Sequence, residues 1–517
     1  MKFRTALLAI IGAVALAAPV SAPAAGAATV TPEGLAAAIA GLDASAQEAV
    51  DRGEVPGLAV AVVWNGKVVL LKGYGRRDAA RSEPVDPDTV FQIASLSKPV
   101  SATVVAALVS EGVVRWDSRI ADLDPGFRLH DAYPSDALTL TDLFDHRSGL
   151  PGGAGNELES LGFSRAEILR RLRFAPAASS FRSAYSYSNF GLTEGAVAAA
   201  RPTGETWERV AEERLYRPLG MGSTSSLYAD FLRRTDRASQ HVRVGDVWKA
   251  LATRDPDAQA PAGGVSSSAR DLAQWVRFEL GDGEIDGRRL IAAPALEATH
   301  APLMWRGPNP VTGAPSFYGL GWNVEYGRHG LSWGHAGAFS TGARTLVAIY
   351  PQAQLGIVVL TNAFPTGVPE GLADHFADLA LDGRSDTDWV KRWDALYNQI
   401  FGPDDAAAKA RFAHPPTPAR PAAPLVAYTG RYASDYLGDA VVEAQGGALV
   451  LRLGPDGSAK FPLTHFDGDI FICFPSPESP DVPSAVRFTM GAEGRADGVA
   501  LDFLNDAGMG ALKRVGP

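Results

Sequence analysis

Three short patterns along this 517-residue chain bring together residue types that can do chemistry: Ser95-Leu96-Ser97-Lys98, Tyr187-Ser188-Asn189 and His335-Ala336-Gly337. Each is weak alone, because a serine followed three residues later by a lysine arises often by chance. The surroundings of the first sharpen it. Pro99 is tolerated only in the first turn of a helix, and the apolar run Val100–Val109 reads as part of a buried helix over Val100–Glu111. Ser95 then sits at the N-terminal end of a core helix, where free N–H groups and the dipole favour developing negative charge. Lys98 returns over the same face. A serine hydroxyl is a poor nucleophile until a neighbouring base takes its proton, and a lysine can be that base once burial lowers its pKa. The bland alternative is a serine N-cap followed by a solvated lysine. Taken singly, Tyr187 reads as an aromatic capping the core, and His335 and His146 as structural histidines. Gly337 reads as a strand position where a substrate approaches the backbone closely.

Elements must hold these groups. Leu58–Trp64 and Lys67–Lys72 are β-rich and joined by Asn65-Gly66, the strongest short hairpin signal. A second β-rich pair, Gly342–Tyr350 and Gln354–Thr361, lies far downstream, with helical patterns between, including Ala269–Leu280. Strands at both ends with helices inserted predict an α+β fold: one antiparallel sheet completed by the two ends, plus a helical lobe. The catalytic unit spans residues 29–400. Residues 401–424 turn Ala- and Pro-rich and read as a stiff, extended linker. Residues 425–517 read as short strands with turns at Gly446-Gly447, Pro455-Asp456-Gly457 and Asp467-Gly468, a small all-β sandwich or barrel.

Composition narrows the function classes. With 48 basic against 58 acidic side chains the chain carries a formal charge of −10, which argues against a nucleic-acid partner. Lys2 and Arg4 precede an apolar run from Ala6 to Ala18 and then small residues, the pattern of a secretory signal peptide over residues 1–28, cleaved after Ala22, Ala27 or Ala28. No later stretch is long and apolar enough to span a membrane, so the expected location is secreted or periplasmic. Cys473 is the one cysteine, so no intrachain disulfide can form, and its apolar neighbours Ile472 and Phe474 mark it as a buried small hydrophobe. The nine histidines are scattered without metal-ligand spacing, so no metal is expected.

The three patterns, in this order between Pro56 and Asn362, resemble those of the serine β-lactamase and D,D-peptidase superfamily. The nearest likeness is to its class C β-lactamase branch with related esterases and D-aminopeptidases. Asp145-His146-Arg147-Ser148-Gly149-Leu150-Pro151, Pro218-Leu219-Gly220-Met221, Pro261-Ala262-Gly263-Gly264 and Tyr318-Gly319-Leu320-Gly321-Trp322 resemble the same branch. Tyr428-Thr429-Gly430-Arg431-Tyr432 resembles the β-barrel appendages of some members. The resemblance implies a β-lactamase/transpeptidase-like fold that needs no cofactor and acts on a small-molecule or peptide substrate. Ser95 would be the acylated nucleophile and Lys98 would assist its deprotonation. Tyr187 would act with Lys98 as base and then protonate the leaving group. Asn189 would hold the substrate amide or the lysine, and the backbone N–H groups of Ser95 and Ala338 would form the oxyanion hole. Which group takes the first proton stays open. A tyrosine base needs its pKa to fall from about 10, with Lys98 and a protonated His335 as the cations that would lower it.

The third pattern departs from the lysine and threonine usual in class C β-lactamases. His335 carries little charge above pH ~6.5 and Ala336 offers no hydroxyl, so weak β-lactam turnover is expected. Small esters or D-amino-acid peptides then become the expected substrates. A catalytically inactive penicillin-binding-like sensor or peptide-binding protein is the alternative. Oligomeric state and the role of residues 425–517 are not legible.

Overall fold

The computed structural model describes residues 30–516 apart from 478. The expected signal peptide lies outside the described residues. Helix α1 (Pro32–Asp51) leads into the hairpin β1 (Gly57–Trp64) and β2 (Lys67–Gly75). Asn65 and Gly66 both take positive φ, as a type I′ turn requires. A helical lobe follows, in which α2 (Ser97–Ser110), α3 (Asn189–Ala200) and α4 (Ala269–Leu280) matter most. The chain then returns as a meander: β3 (Met304–Pro308), β4 (Pro315–Tyr318), β5 (Asn323–Gly327), β6 (Gly330–Phe339), β7 (Ala343–Tyr350) and β8 (Leu355–Thr361).

These strands make one antiparallel sheet in the order β2-β1-β8-β7-β6-β5-β4-β3. The N-terminal hairpin closes onto the meander through β1 and β8, with Leu58 opposite Thr361 and Trp64 opposite Leu355. Strand β1 reads Gly-Leu-Ala-Val-Ala-Val-Val-Trp because both of its faces are covered. Leu58, Val60 and Val62 pack with Leu35, Leu42 and Phe376 on one side. Ala59, Ala61 and Val63 join the core shared with Trp275 and the helical lobe on the other. Helix α2 is buried along nearly its whole length, which explains an apolar run with little amphipathic pattern.

Beyond β8 come α5 (Val368–Ala377), α6 (Trp389–Phe401) and α7 (Pro403–Phe412). Helix α7 corrects the reading of 401–424 as extended throughout. Alanine is the best helix former, Pro403 stands at the first position, Asp404 and Asp405 occupy the first turn, and Lys409 and Arg411 the last. The segment beyond, rich in proline, carries no helix up to the short turn at Leu425–Ala427. The C-terminal part is a closed barrel of eight strands, from β9 (Gly430–Ser434) and β10 (Gly438–Gln445) round to β16 (Ala511–Gly516). The intervening strands are β11 (Ala448–Leu453), β12 (Ala459–Asp467), β13 (Ile470–Cys473), β14 (Ser484–Met490) and β15 (Ala496–Leu501). Pairing of β9 with β16 closes it, so of sandwich and barrel the barrel is found. No helix among the described residues is long and apolar enough to cross a membrane.

Candidate active site

Ser95 stands in a single 3-10 turn, Ala94–Leu96, immediately before α2. Ala94 is fully buried with φ +50°, a conformation that costs a non-glycine residue about 1–3 kcal/mol and clusters at functional sites. The surroundings impose it. Thr345 on β7 donates its hydroxyl to the Ile93 carbonyl (2.7 Å). Ser97 donates to the Ala94 carbonyl (2.6 Å) and accepts the Val265 N–H (3.0 Å). Gly337 lies on β6 beneath this turn. A Cβ there would overlap Ile93 O and Thr345 Oγ1 and come within 3.1 Å of the Leu96 nitrogen. The glycine is therefore needed to seat the turn that carries Ser95.

The second pattern is positioned by its middle residue. Ser188 is the N-cap of α3, its hydroxyl accepting the Gly191 N–H (3.0 Å). Fixing that helix start sends Tyr187 and Asn189 together towards α2. The Tyr187 hydroxyl donates to Ser95 Oγ (2.8 Å), and Lys98 Nζ lies 3.1 Å from the same oxygen. Lys98 Nζ also donates to Asn189 Oδ1 (2.7 Å) and to the Ala262 carbonyl (2.9 Å). The lysine is wholly buried, and burial pushes its pKa well below the ordinary lysine range. A neutral amine has two N–H groups, which Asn189 and Ala262 accept, and its lone pair is left for the Ser95 hydroxyl. The phenol moves the other way. Burial raises the pKa of Tyr187 despite its bond to Ser95, so it carries its proton at neutral pH.

His335 does not supply the cation expected of it. It is buried beside Tyr318, whose hydroxyl lies 2.9 Å from Nε2, while Nδ1 meets the Ala336 carbonyl at 2.7 Å. Burial holds its pKa well below the usual histidine value, so the ring is neutral, with Nδ1 donating and Nε2 accepting. Ala338 follows on the same strand. Strand β5 pairs with β6 only as far as Gly334, so beyond it the strand carrying His335, Gly337 and Ala338 is paired by β7 alone.

Further neighbours complete the site, some from the quoted motifs, as His146 and Tyr318 are, and some, Tyr185, Arg306 and Asn156, from outside them. The His146 ring packs on Tyr187 and Tyr318, with centroids 4.7 and 4.8 Å away. Its Nδ1 accepts the Ser188 N–H (3.2 Å), and its carbonyl accepts the Ser186 N–H (2.8 Å), so it brackets Tyr187 from both sides. Tyr185 and Arg306 complete the wall, the guanidinium 5.4 Å from the Tyr185 ring and 5.7 Å from that of Tyr318. Only periodic or motif-borne residues announce themselves in sequence, and Arg306 belongs to neither kind. Asn156 accepts from the Asn189 side chain (3.2 Å) and is equally unmarked. Elsewhere, His329, Asp378 and Asp382 cluster closely enough to hold a metal ion, but Arg328 already pairs with both carboxylates. Cys473 is buried in the barrel, its thiol pushed up to about 12 by burial, so it is no nucleophile.

A serine touched by a buried lysine and a tyrosine, on a turn set against an antiparallel sheet, has the form of a serine hydrolase-type site. The chain belongs to the beta-lactamase family, which matches residues 11–382. A domain of unknown function, DUF3471, matches residues 414–510, the part that forms the closed barrel. Among curated relatives, the unguisins hydrolase ungD' of Aspergillus campestris is 27% identical over 75% of this chain and 74% of its own length. Penicillin-binding protein 4 of Amycolatopsis lactamdurans is 29% identical over 60% of this chain and 81% of its own length. Among solved structures, the octameric penicillin-binding protein homologue from Pyrococcus abyssi aligns with a TM-score of 0.56 at 19% identity, covering 90% of this chain and 98% of that one. SurE aligns at 0.54 and 22% identity, covering 93% and 100%. The family and its hydrolase-named relatives support a serine hydrolase-type enzyme.

Proposed function

We propose that this chain is an exported serine hydrolase that cleaves amide or ester bonds of small substrates through an acyl-enzyme on Ser95. The observation that carries this reading is the buried Lys98 amine, with two acceptors for its hydrogens and Ser95 Oγ 3.1 Å away. In the first step the Ser95 proton passes to Lys98 Nζ as Oγ bonds to the substrate carbonyl carbon. The backbone N–H groups of Ser95 and Ala338 receive the developing oxyanion. Tyr187 gives its proton to the leaving nitrogen or oxygen as the C–N or C–O bond breaks, and the Lys98 ammonium reprotonates the phenolate. Water then attacks the acyl carbonyl, loses its proton to the same pair, and Ser95 departs with a proton. The raised pKa of Tyr187 suits a proton donor, and the lowered one of Lys98 suits the first acceptor.

D-amino-acid peptides and small esters are the proposed substrates. A neutral His335 and the methyl of Ala336 offer a β-lactam carboxylate neither the permanent charge nor the hydroxyl of a lysine–threonine pair, which supports poor β-lactam turnover. The unguisins hydrolase, named for hydrolysing unguisins, adds support for hydrolase action. Export rests on the charged, apolar and small-residue order of residues 1–28. The test is a parallel assay of p-nitrophenyl butyrate, D-Ala-p-nitroanilide, a D-Ala-D-Ala peptide and nitrocefin, with Ser95→Ala as control. Turnover of the ester or a D-peptide, abolished in Ser95→Ala, is expected. Efficient nitrocefin hydrolysis would overturn the substrate assignment, and activity surviving in Ser95→Ala would overturn the mechanism.

A further inference from the structure

Between β9 and β10 the barrel makes a three-residue turn, Asp435-Tyr436-Leu437. A tyrosine at a hairpin tip is ordinarily exposed, yet Tyr436 retains only 3% of its surface and Leu437 none. The tip is driven into the catalytic domain. Arg171 donates to the carbonyls of Asp435 (3.0 Å) and Tyr436 (2.8 Å). The Tyr436 hydroxyl accepts the Gly155 N–H (2.7 Å) and donates to Glu157 (3.1 Å), so both of its roles are used inside the neighbouring domain.

The loop it grips leads to the catalytic groups. The Gly153 N–H donates to the Tyr187 carbonyl (3.3 Å), and the Asn156 N–H to the Gly153 carbonyl (2.9 Å). Asn156 Oδ1 accepts from the Asn189 side chain (3.2 Å), whose own oxygen receives Lys98 Nζ (2.7 Å). Gly155 has no slack. Its φ is +94°, and a Cβ would press on the Phe190 ring and Ile168. The loop is therefore fixed from the α3 side by packing and from the other side by the barrel.

We propose that Tyr436 is a positioning residue of the active site, so that the C-terminal barrel sets the geometry of Lys98 and Tyr187 through the 153–157 segment, a turn that runs into the helix Asn156–Ser160. This rests on the reading of Ser95 as the nucleophile. Without the hydroxyl, Gly155 loses its acceptor, Asn156 loosens, and Asn189 no longer holds the Lys98 amine against Ser95. The disturbed contacts lie off β6 and around the Lys98 amine, so the loss falls on the chemical step.

The test uses the full-length protein and a fluorophosphonate probe followed by intact mass, comparing wild type, Tyr436→Phe, Asn156→Ala, the double variant and Arg171→Gln. The exposed barrel residue Arg431, changed to Gln, is the control. Tyr436→Phe is expected to lower the labelling rate constant about ten- to a hundredfold, with the endpoint still one adduct per chain and KM for p-nitrophenyl butyrate within about twofold. A merely structural defect would lower the endpoint and leave the rate constant of the remaining sites intact. Because the two residues act through one route, the double variant should be no slower than Asn156→Ala alone. Arg171→Gln, which loosens the same tip from the catalytic side, should slow labelling in the same direction should Tyr436→Phe fail to fold. A wild-type rate constant in Tyr436→Phe or, if that variant does not fold, in Arg171→Gln, or additive losses in the double variant, would overturn the proposal. Absence of any adduct on wild-type Ser95 would instead strike the proposed function beneath it.

Discussion

Lys98 and Tyr187 both touch Ser95, and in the proposed mechanism they divide the proton work between them. Burial favours the neutral form of each, which leaves one a free base and the other a ready acid. Removing the acid should therefore matter in proportion to the leaving group's need for a proton. Tyr187→Phe is expected to slow release of an amide leaving group by about 10²–10⁴-fold. Acylation by p-nitrophenyl butyrate, whose nitrophenolate leaves unprotonated, should fall much less. Steady-state kinetics on both substrates check this, and equal losses would assign Tyr187 to deprotonating Ser95. At this scale Ser95, Lys98, Tyr187 and Asn189 were legible because each pattern is local and its spacing has a reason. The charge state of His335 was not, because Tyr318, seventeen residues back on another strand, is what buries and bonds it.

The nucleophile's turn and β6 fit each other without spare volume. Gly337→Ala would push its methyl into Ile93 O and Thr345 Oγ1, and overpacking of this kind typically costs about 1–3 kcal/mol. The expected outcome is a lower urea midpoint together with loss of Ser95 labelling, since the Ala94–Leu96 turn must lift off the strand to relieve the clash. Retention of full activity in a folded Gly337→Ala protein would contradict this packing. Elements with a turn signal or a continuous apolar run were readable in advance, as at Asn65-Gly66 and along α2. Helix α7 was misread because the prolines after Phe412 dominated the composition of a segment whose first half has good helix formers and charges placed to suit the dipole.

Across the whole molecule, one apolar core runs from the helical lobe into the barrel. Leu158, Leu161 and Ile168 belong to the same buried cluster as Tyr436, Leu437 and Leu453. Two bodies joined only by a stiff linker would melt separately, but a shared core couples them. Calorimetry should show one cooperative transition for the full chain, and two well-separated transitions would contradict the coupling. A single antiparallel sheet completed from both ends of the domain, and an all-β C-terminal part, were legible in the strand patterns, whereas the meander of strands between Met304 and Phe339 was not read. The docking of the barrel was not legible either, because a tyrosine in a hairpin turn carries no periodic signature of what it will touch.

The central claim, that a neutral buried lysine deprotonates Ser95, is tested most directly by the pH dependence of fluorophosphonate labelling. A lysine whose folded pKa is depressed is the active free amine above that pKa and is lost as a base when pH falls through it. The predicted rate reaches its plateau well below the ordinary lysine range and falls about tenfold per pH unit below the Lys98 pKa. A rate that keeps climbing towards pH 10, as an unperturbed lysine or tyrosine would give, contradicts the account.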